Sequence, residues 1–218
     1  MRETLGAMKA AQRLAGIPNL AVRNERLSRI AAMVRTYQEE IVAAVDEDFG
    51  GRAREETLLA EIFTTLSSVH HARKNLRRWM RPERRSLDLA FRPARAKLLP
   101  QPLGVVGIIS PWNYPLYMAT SPLVGAVAAG NRVMVKPSEH TPRTSALMAK
   151  LIGGYFAADE IAVIQGGCRV GEVFSRLPFD HLLYTGSASV ARRIMAAAAK
   201  NLTPVPLELG GKSPAIIS

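Results

Sequence analysis

Apolar side chains follow a helical spacing through most of the first 80 residues. They recur every three or four positions over 27–45, which predicts a helix that ends near Gly50. A second such pattern covers 58–79. Residues 86–100 then predict two short extended pieces around Arg92–Pro93, arranged as a hairpin.

From Gln101 onward, short apolar strands alternate with helices. The predicted strands are 105–109, 133–135, 162–164, 181–184 and 205–209. The predicted helices are 115–129, 142–156, 170–176 and 188–200, the second with Thr141 as its N-cap and Pro142 at its first position. This alternation indicates an α/β fold with a mostly parallel, doubly wound sheet that is covered by helices on both faces.

Composition adds few constraints to this picture. The chain is 48% hydrophobic and 22% charged, which is ordinary for a globular protein. No apolar run approaches the roughly 18 residues of a membrane span, and the polar start carries no signal-peptide core, so we expect a cytoplasmic protein without a membrane partner. The one cysteine, Cys168, excludes an internal disulfide, and the histidine spacing predicts no metal site.

Positive charge suggests one alternative function. The chain has 29 Lys and Arg against 18 Asp and Glu, and the densest basic stretch, 73–97, holds ten Lys and Arg against two acids. Such a stretch can bind polyanions. Because no aromatic interleaving or nucleic-acid motif accompanies it, we predict no nucleic-acid partner and keep polyanion binding as a second alternative.

Four polar or glycine-containing segments stand at or just after predicted strand ends, where ligands bind in such sheets. They are Pro111-Trp112-Asn113-Tyr114-Pro115, Lys136-Pro137-Ser138-Glu139, Tyr184-Thr185-Gly186-Ser187 and Leu207-Glu208-Leu209-Gly210-Gly211-Lys212-Ser213-Pro214. A Gly-x-Gly-x-x-Gly fingerprint is absent from the sequence. Pro206 stands where a P-loop would need its first glycine, which excludes that motif.

Two of these segments contain candidate catalytic side chains. The Asn113 amide could donate to a developing oxyanion, or it could cap the helix that starts near Pro115. The Glu208 carboxylate lies between two leucines and could act as a general base, or it could form a salt bridge at a strand end. The neighbouring Gly210 and Gly211 favour a functional role, since they allow close approach of a ligand to the backbone.

The other segments indicate a nucleotide. Glu139 could accept bonds from ribose hydroxyls and would repel a 2′-phosphate, although Lys136 and Glu139 could also be a surface pair. Ser187 is a natural N-cap of a helix whose free amides could bind an anion. Trp112 and Val190 could line the crevice or belong to the core.

The order and spacing of the four segments resemble the aldehyde dehydrogenase superfamily over essentially the whole chain. Pro102-Leu103-Gly104-Val105-Val106 and Leu202-Thr203-Pro204-Val205 resemble its class 3 and coniferyl-aldehyde branch. The resemblance implies N-terminal helices and a hairpin (1–100) packed on a Rossmann-like NAD(P)-binding domain (101–218). It implies Asn113 as the oxyanion donor and Glu208 as the general base. The cofactor-binding residues that it implies are Trp112, Lys136, Ser138, Glu139, Gly186, Ser187, Val190 and Leu209.

The implied reaction is oxidation of an aldehyde, of the coniferyl type or of medium chain length, to a carboxylic acid. NAD is the expected cofactor, with NADP as an open second option, and the full-length form is expected to be a homodimer. The family's nucleophilic cysteine would follow beyond Ser218, and Cys168 does not match its motif, so we expect a chain truncated before the catalytic domain. The first alternative is therefore a nucleotide-binding module without catalysis.

Overall fold

The computed structural model describes residues 1–211 and 213–217; Lys212, within the Glu208 segment, lies outside the described residues. The N-terminal helices are α1 (Arg2–Ala15), α2 (Leu20–Thr36), α3 (Gln38–Phe49), α4 (Arg54–Thr57) and α5 (Thr64–Trp79), with a π-helical stretch at Leu58–Phe63 that joins α4 to α5. The helix predicted over 27–49 is thus two helices. Tyr37 leaves helical geometry (φ −109°, ψ 28°), but the apolar spacing continues across it because α2 and α3 contribute to the same core.

A short antiparallel hairpin follows the helices. Its strands are β1 (Glu83–Arg85) and β2 (Ala96–Leu98), paired from Glu83 opposite Leu98 to Arg85 opposite Ala96. The predicted hairpin is present, with Arg92–Pro93 between its two strands as expected, but the first strand lies before residue 86, earlier than predicted. The loop is longer than the pattern suggested because it contains a turn of 3-10 helix at Leu89–Phe91.

The rest of the chain forms a parallel sheet with four helices. The strands are β3 (Val105–Ile109), β4 (Arg132–Lys136), β5 (Ile161–Val163), β6 (His181–Gly186) and β7 (Leu207–Leu209), in the order β5-β4-β3-β6-β7. The helices are α6 (Tyr117–Ala128), α7 (Pro142–Tyr155), α8 (Cys168–Ser175) and α9 (Ala188–Ala199). Neighbouring strands pair in parallel register throughout, so the predicted doubly wound sheet is confirmed.

The sheet separates two hydrophobic cores. Alternate side chains of β3 enter opposite cores: Val106 and Ile108 pack with helices α2, α3, α5, α6 and α7, whereas Val105 and Ile109 pack with α1, α8 and α9. The N-terminal helices are therefore divided between the two faces, with Leu5 of α1 buried on the opposite side from α2 to α5. The boundary near residue 100 between two domains stays a prediction.

Helix α7 is capped from a distant element. Thr141 stands at its N-cap position, but among the described residues its side chain makes no capping hydrogen bond. The Asp48 carboxylate of α3 instead accepts from the amides of Arg143 (2.9 Å) and Thr144 (2.7 Å). The predicted N-cap position of Thr141 and the predicted helix start at Pro142 are therefore confirmed, while the side chain that caps the helix amides is Asp48.

A charge cluster ties α2 to the start of β5. The Glu160 carboxylate lies 2.9 Å from Arg26 Nε and 3.0 Å from Arg29 Nη1. Partial burial raises the pKa of Glu160, but the hydrogen bonds and charges of the two arginines outweigh it, so the pKa lies below its ordinary value. The cluster therefore holds an ionised carboxylate between the helical layer and the sheet edge.

Candidate functional site

The carboxyl ends of β3 and β6 lie side by side at the centre of the sheet. From β3 the chain winds outward through β4 to β5, and then returns to place β6 and β7 on the other side. Such a reversal of strand order leaves a crevice at the strand ends, which is where ligands bind in open α/β sheets. A cleft of about 520 Å³ opens at this point, between the loops after β3, β4 and β6 and the helices α8 and α9.

Most of the predicted cofactor residues line this one cleft. They are Trp112, Lys136, Ser138, Glu139, Gly186, Ser187 and Val190. Leu209 is not among the lining residues, but its Cα is paired with that of Gly186 in the β6–β7 ladder. Residues far apart in sequence are thus brought together at the strand ends; their roles in binding stay predictions.

Lys136 and Glu139 form an ion pair at the wall of the cleft. Lys136 Nζ lies 2.6 Å from Glu139 Oε2, and the lysine side chain is only 4% exposed against 36% for the glutamate. Partial burial raises the pKa of Glu139, but the bond from Lys136, a backbone amide and nearby positive charge lower it further than burial raises it. The pair therefore presents an ionised carboxylate to the cleft.

Ser138 shapes the turn between this lysine and α7. Its hydroxyl accepts from the His140 amide (3.2 Å), and its carbonyl accepts from the Ser145 hydroxyl (2.9 Å). Ser138 is itself only 6% exposed. These bonds fix the loop on which Glu139 sits.

Gly186 and Ser187 form the entrance to α9. Ser187 is its N-cap, with its hydroxyl accepting from the Val190 amide at a long 3.5 Å. A side chain at Gly186 would place its Cβ 2.3 Å from the hydroxyl oxygen of Tyr184, which is buried and donates to the Ser187 carbonyl (3.3 Å). Only glycine fits there, and the helix N-terminus beside it opens towards the cleft.

Two apolar residues that could have belonged to the core are walls of the cleft. Trp112 is 53% exposed and Val190 is 42% exposed. The Trp112 ring packs against Phe49 of α3, with ring centroids 6.2 Å apart. The next residue of α9, Ala191, is buried in the core, so its methyl group does not narrow the cleft.

The two candidate catalytic residues are exposed at the carboxyl ends of the strands, on the side of the sheet where the cleft opens. Asn113 follows β3, and Glu208 lies in β7 paired with Thr185 of β6, which lines the cleft. The first amides of α6 donate to the Glu61 carboxylate, so Asn113 is not needed as a cap. Glu208 makes no ion pair among the described residues. Both alternatives raised for these side chains therefore lack support.

Several lining residues were missed or set aside by sequence reasoning. Arg193 lies one helical turn after Val190, so a helical spacing from that residue could have identified it, whereas Arg176 at the end of α8 carried no signal. The exposed Cys168, set aside as a nucleophile, also lines the cleft at the start of α8. Ser110 contributes a buried hydroxyl that has no partner among the described residues.

None of residues 73–97 lines the cleft. No group of three or more His, Cys, Asp or Glu side chains suited to a metal occurs within residues 1–211 and 213–217. Of the helices described, none combines the length and apolar character needed to cross a membrane.

The fold and this cleft define an α/β protein of the dinucleotide-binding class. A model of the aldehyde dehydrogenase family matches residues 2–218, and the chain belongs to that family. A protein of Pseudomonas aeruginosa named probable coniferyl aldehyde dehydrogenase is 50% identical over 218 residues, covering 98% of this chain and 46% of that protein. The predicted resemblance to the coniferyl-aldehyde branch is confirmed, and the chain spans about half the length of this relative.

Solved structures give the same result for the fold. Staphylococcus aureus AldH in its substrate-bound state has a TM-score of 0.93 at 35% identity, covering 97% of this chain and 46% of that chain. The Pseudomonas syringae indole-3-acetaldehyde dehydrogenase, solved with NAD⁺, has a TM-score of 0.85 at 26% identity, covering 97% and 43%. Structures of this family thus bind a nicotinamide dinucleotide.

Proposed function

We propose that this chain supplies the dinucleotide site, the oxyanion donor and the general base of an NAD(P)-dependent aldehyde dehydrogenase. The observation that carries the proposal is the cleft where β3, β4 and β6 end, which brings the Lys136–Glu139 pair and the start of α9 together. The residues present suit such a ligand. The ion pair offers a donor and an acceptor for ribose hydroxyls, and the helix amides after Ser187 offer donors for a pyrophosphate.

We infer that NAD is preferred over NADP. The lowered pKa of Glu139 favours its ionised carboxylate, which accepts hydrogen bonds from ribose hydroxyl groups and repels a 2′-phosphate. Arg176 and Arg193 line the same cleft and would reduce this repulsion. NADP is therefore expected to bind more weakly rather than not at all.

The proposed chemistry divides between the ligand and the chain. A bound nicotinamide supplies a two-electron acceptor. The Asn113 amide, which is neutral and keeps its proton, donates to the carbonyl oxygen as negative charge develops there. After a cysteine thiolate from outside residues 1–218 has added to the aldehyde carbon and the adduct has lost hydride to the acceptor, a thioester would remain. Glu208 would then remove a proton from the water that hydrolyses this thioester to the acid and the free thiol. No role as nucleophile is proposed for Cys168.

The substrate class is proposed from the name of a relative. The name of the Pseudomonas aeruginosa protein suggests an aromatic aldehyde of the coniferyl type. We also propose a homodimer for the full-length form and a cytoplasmic location. A nucleotide-binding module without turnover is the alternative that the same cleft would equally support.

The test is calorimetric titration of the 218-residue chain with NAD and with NADP. The site variant is Lys136→Met with Glu139→Gln, and the matched control is Arg143→Met with Glu47→Gln, an exposed ion pair between α7 and α3. Loss of charged hydrogen bonds should weaken binding about 10- to 100-fold in the site variant only.

Equal affinity in the site variant and in the control, with unchanged melting temperatures, would contradict the proposed site. Because no nucleophile is proposed within residues 1–218, turnover is measured in the full-length enzyme with coniferyl aldehyde. NADH formation that is lost in a Glu208→Gln variant would exclude the module without turnover, whereas NAD binding without NADH formation would favour that module.

A further inference from the structure

Glu61 is a fully buried carboxylate at the edge of the candidate site. It is 0% exposed and lies in the π-helical stretch Leu58–Phe63, a rare geometry that is frequent at functional sites. Its Oε2 atom accepts from the backbone amides of Leu116 (2.6 Å) and Tyr117 (3.1 Å). These amides end the loop between β3 and α6, residues 110–116, which carries Trp112 and Asn113.

Arg52 links this carboxylate to the aromatic residues of the same loop. Its Nη1 atom lies 3.4 Å from Glu61 Oε1. Its guanidinium stands 3.6 Å from the ring centroid of Phe49, which packs on Trp112, and 5.0 Å from that of Tyr114. The Tyr114 hydroxyl in turn donates to Glu56 (3.2 Å). The loop is thus held both by its backbone and by two of its side chains.

Capping of α6 alone does not explain this arrangement. A serine or threonine within the chain before α6 would satisfy the same amides without burying a charge. Burial raises the pKa of Glu61, and the bonds from Tyr117, Leu116 and Arg52 offset only part of that effect. Capping a helix with a buried ion pair therefore carries a large desolvation cost, which suggests that the pair has a role besides capping.

We propose that Glu61 and Arg52 are positioning residues of the candidate site. They fix the β3–α6 loop so that Trp112 forms a wall of the cleft and Asn113 stays near the carboxyl end of β3. The part concerning catalysis and cofactor rests on the function proposed above. The part concerning loop geometry does not. Neither residue lines the cleft, so both act through the loop and not by contact with a ligand.

The matched control lies at the other end of the same helix. Arg23 is 4% exposed, and its Nη1 atom donates to the carbonyl of Ala128, the last residue of α6 (3.1 Å). Arg23→Gln and Glu61→Gln each remove one buried charge at one end of α6. A purely structural role for Glu61 predicts that the two variants behave alike.

The experiment measures the loop directly in the 218-residue chain. Amide hydrogen exchange reports Leu116 and Tyr117, and fluorescence quenching reports Trp112 in a Trp79→Phe background. Glu61→Gln should speed exchange at both amides on the order of tenfold, change Trp112 quenching and weaken NAD binding. Arg23→Gln should lower the melting temperature and leave all three readouts as in the parent chain.

A second variant keeps the test decisive if Glu61→Gln does not fold. Arg52→Lys keeps the positive charge beside Glu61 but loses the planar contact with Phe49 and Tyr114, so Trp112 quenching should change while exchange of Leu116 does not. Unchanged quenching in Arg52→Lys, or identical behaviour of the Glu61 and Arg23 variants, would overturn the proposal. If exchange and quenching respond but the parent chain binds no NAD, the positioning role holds and the proposed function fails.

Discussion

Replacement of Gly186 by alanine tests the geometry at the entrance to α9. The new Cβ would lie 2.3 Å from the Tyr184 hydroxyl oxygen and 2.7 Å from its Cζ atom, closer than van der Waals contact allows. Tyr184 is 5% exposed and its hydroxyl donates to the Ser187 carbonyl. Neither the Tyr184 ring nor the backbone at residue 186 can therefore move without disturbing the start of α9. Overpacking of this kind costs about 1–3 kcal/mol.

The corresponding fall in melting temperature is about 2–12 °C for a chain of this length. Thermal denaturation followed by circular dichroism measures it, and NAD titration should show weaker binding because the amides after Ser187 are displaced. Gly153→Ala in α7, where the added methyl group meets open space, should instead be neutral or stabilising. Tyr184→Phe combined with Gly186→Ala should recover part of the loss, since it removes the nearest atom.

A Gly186→Ala chain that melts with the parent and binds NAD equally well would refute this reasoning. It would mean that Tyr184 rearranges at no cost and that the close approach at β6 is not required for the helix entrance.

Two further predictions concern stability. Asp48→Ala should lower the free energy of unfolding by about 1–2 kcal/mol because α7 loses its cap. The control Glu47→Ala removes only an exposed ion pair at the same helix end and should cost less than about 0.5 kcal/mol. Urea denaturation measures both values. Glu160→Gln should destabilise by up to about 3 kcal/mol at neutral pH. The folded-state pKa of Glu160 lies below its ordinary value of 4.5, so its ion pairs stabilise the fold above pH 4.5 and this stabilisation is lost as the pH falls through the lowered pKa. The melting temperature of the Glu160→Gln variant should therefore depend less on acid pH than that of the parent chain. An unchanged acid dependence would contradict the ion-pair argument.

Local pattern accounts for much of the fold. The strand predicted at 105–109 has the observed bounds, and the helices predicted at 142–156 and 188–200 end within one residue of those observed. Apolar periodicity, glycine and proline act over a few residues, so such elements are readable from sequence. The same holds for the segments of the candidate site, because each directly follows a strand and strand ends meet at one edge of a parallel sheet.

Long-range contacts decided the rest. Glu61 caps α6 and accepts from an amide 55 residues away, and Asp48 caps α7 and accepts from an amide 96 residues away. No local sequence pattern predicts partners at such distances. The position of α1 on the far face and the exposure of Trp112 likewise depend on which surfaces meet after folding. Sequence alone thus determined most of the helices and strands, their order and the segments that meet at the cleft, although it merged α2 with α3. Only the tertiary structure decided which charged groups hold those segments in place, because burial and pairing are properties of the assembled chain.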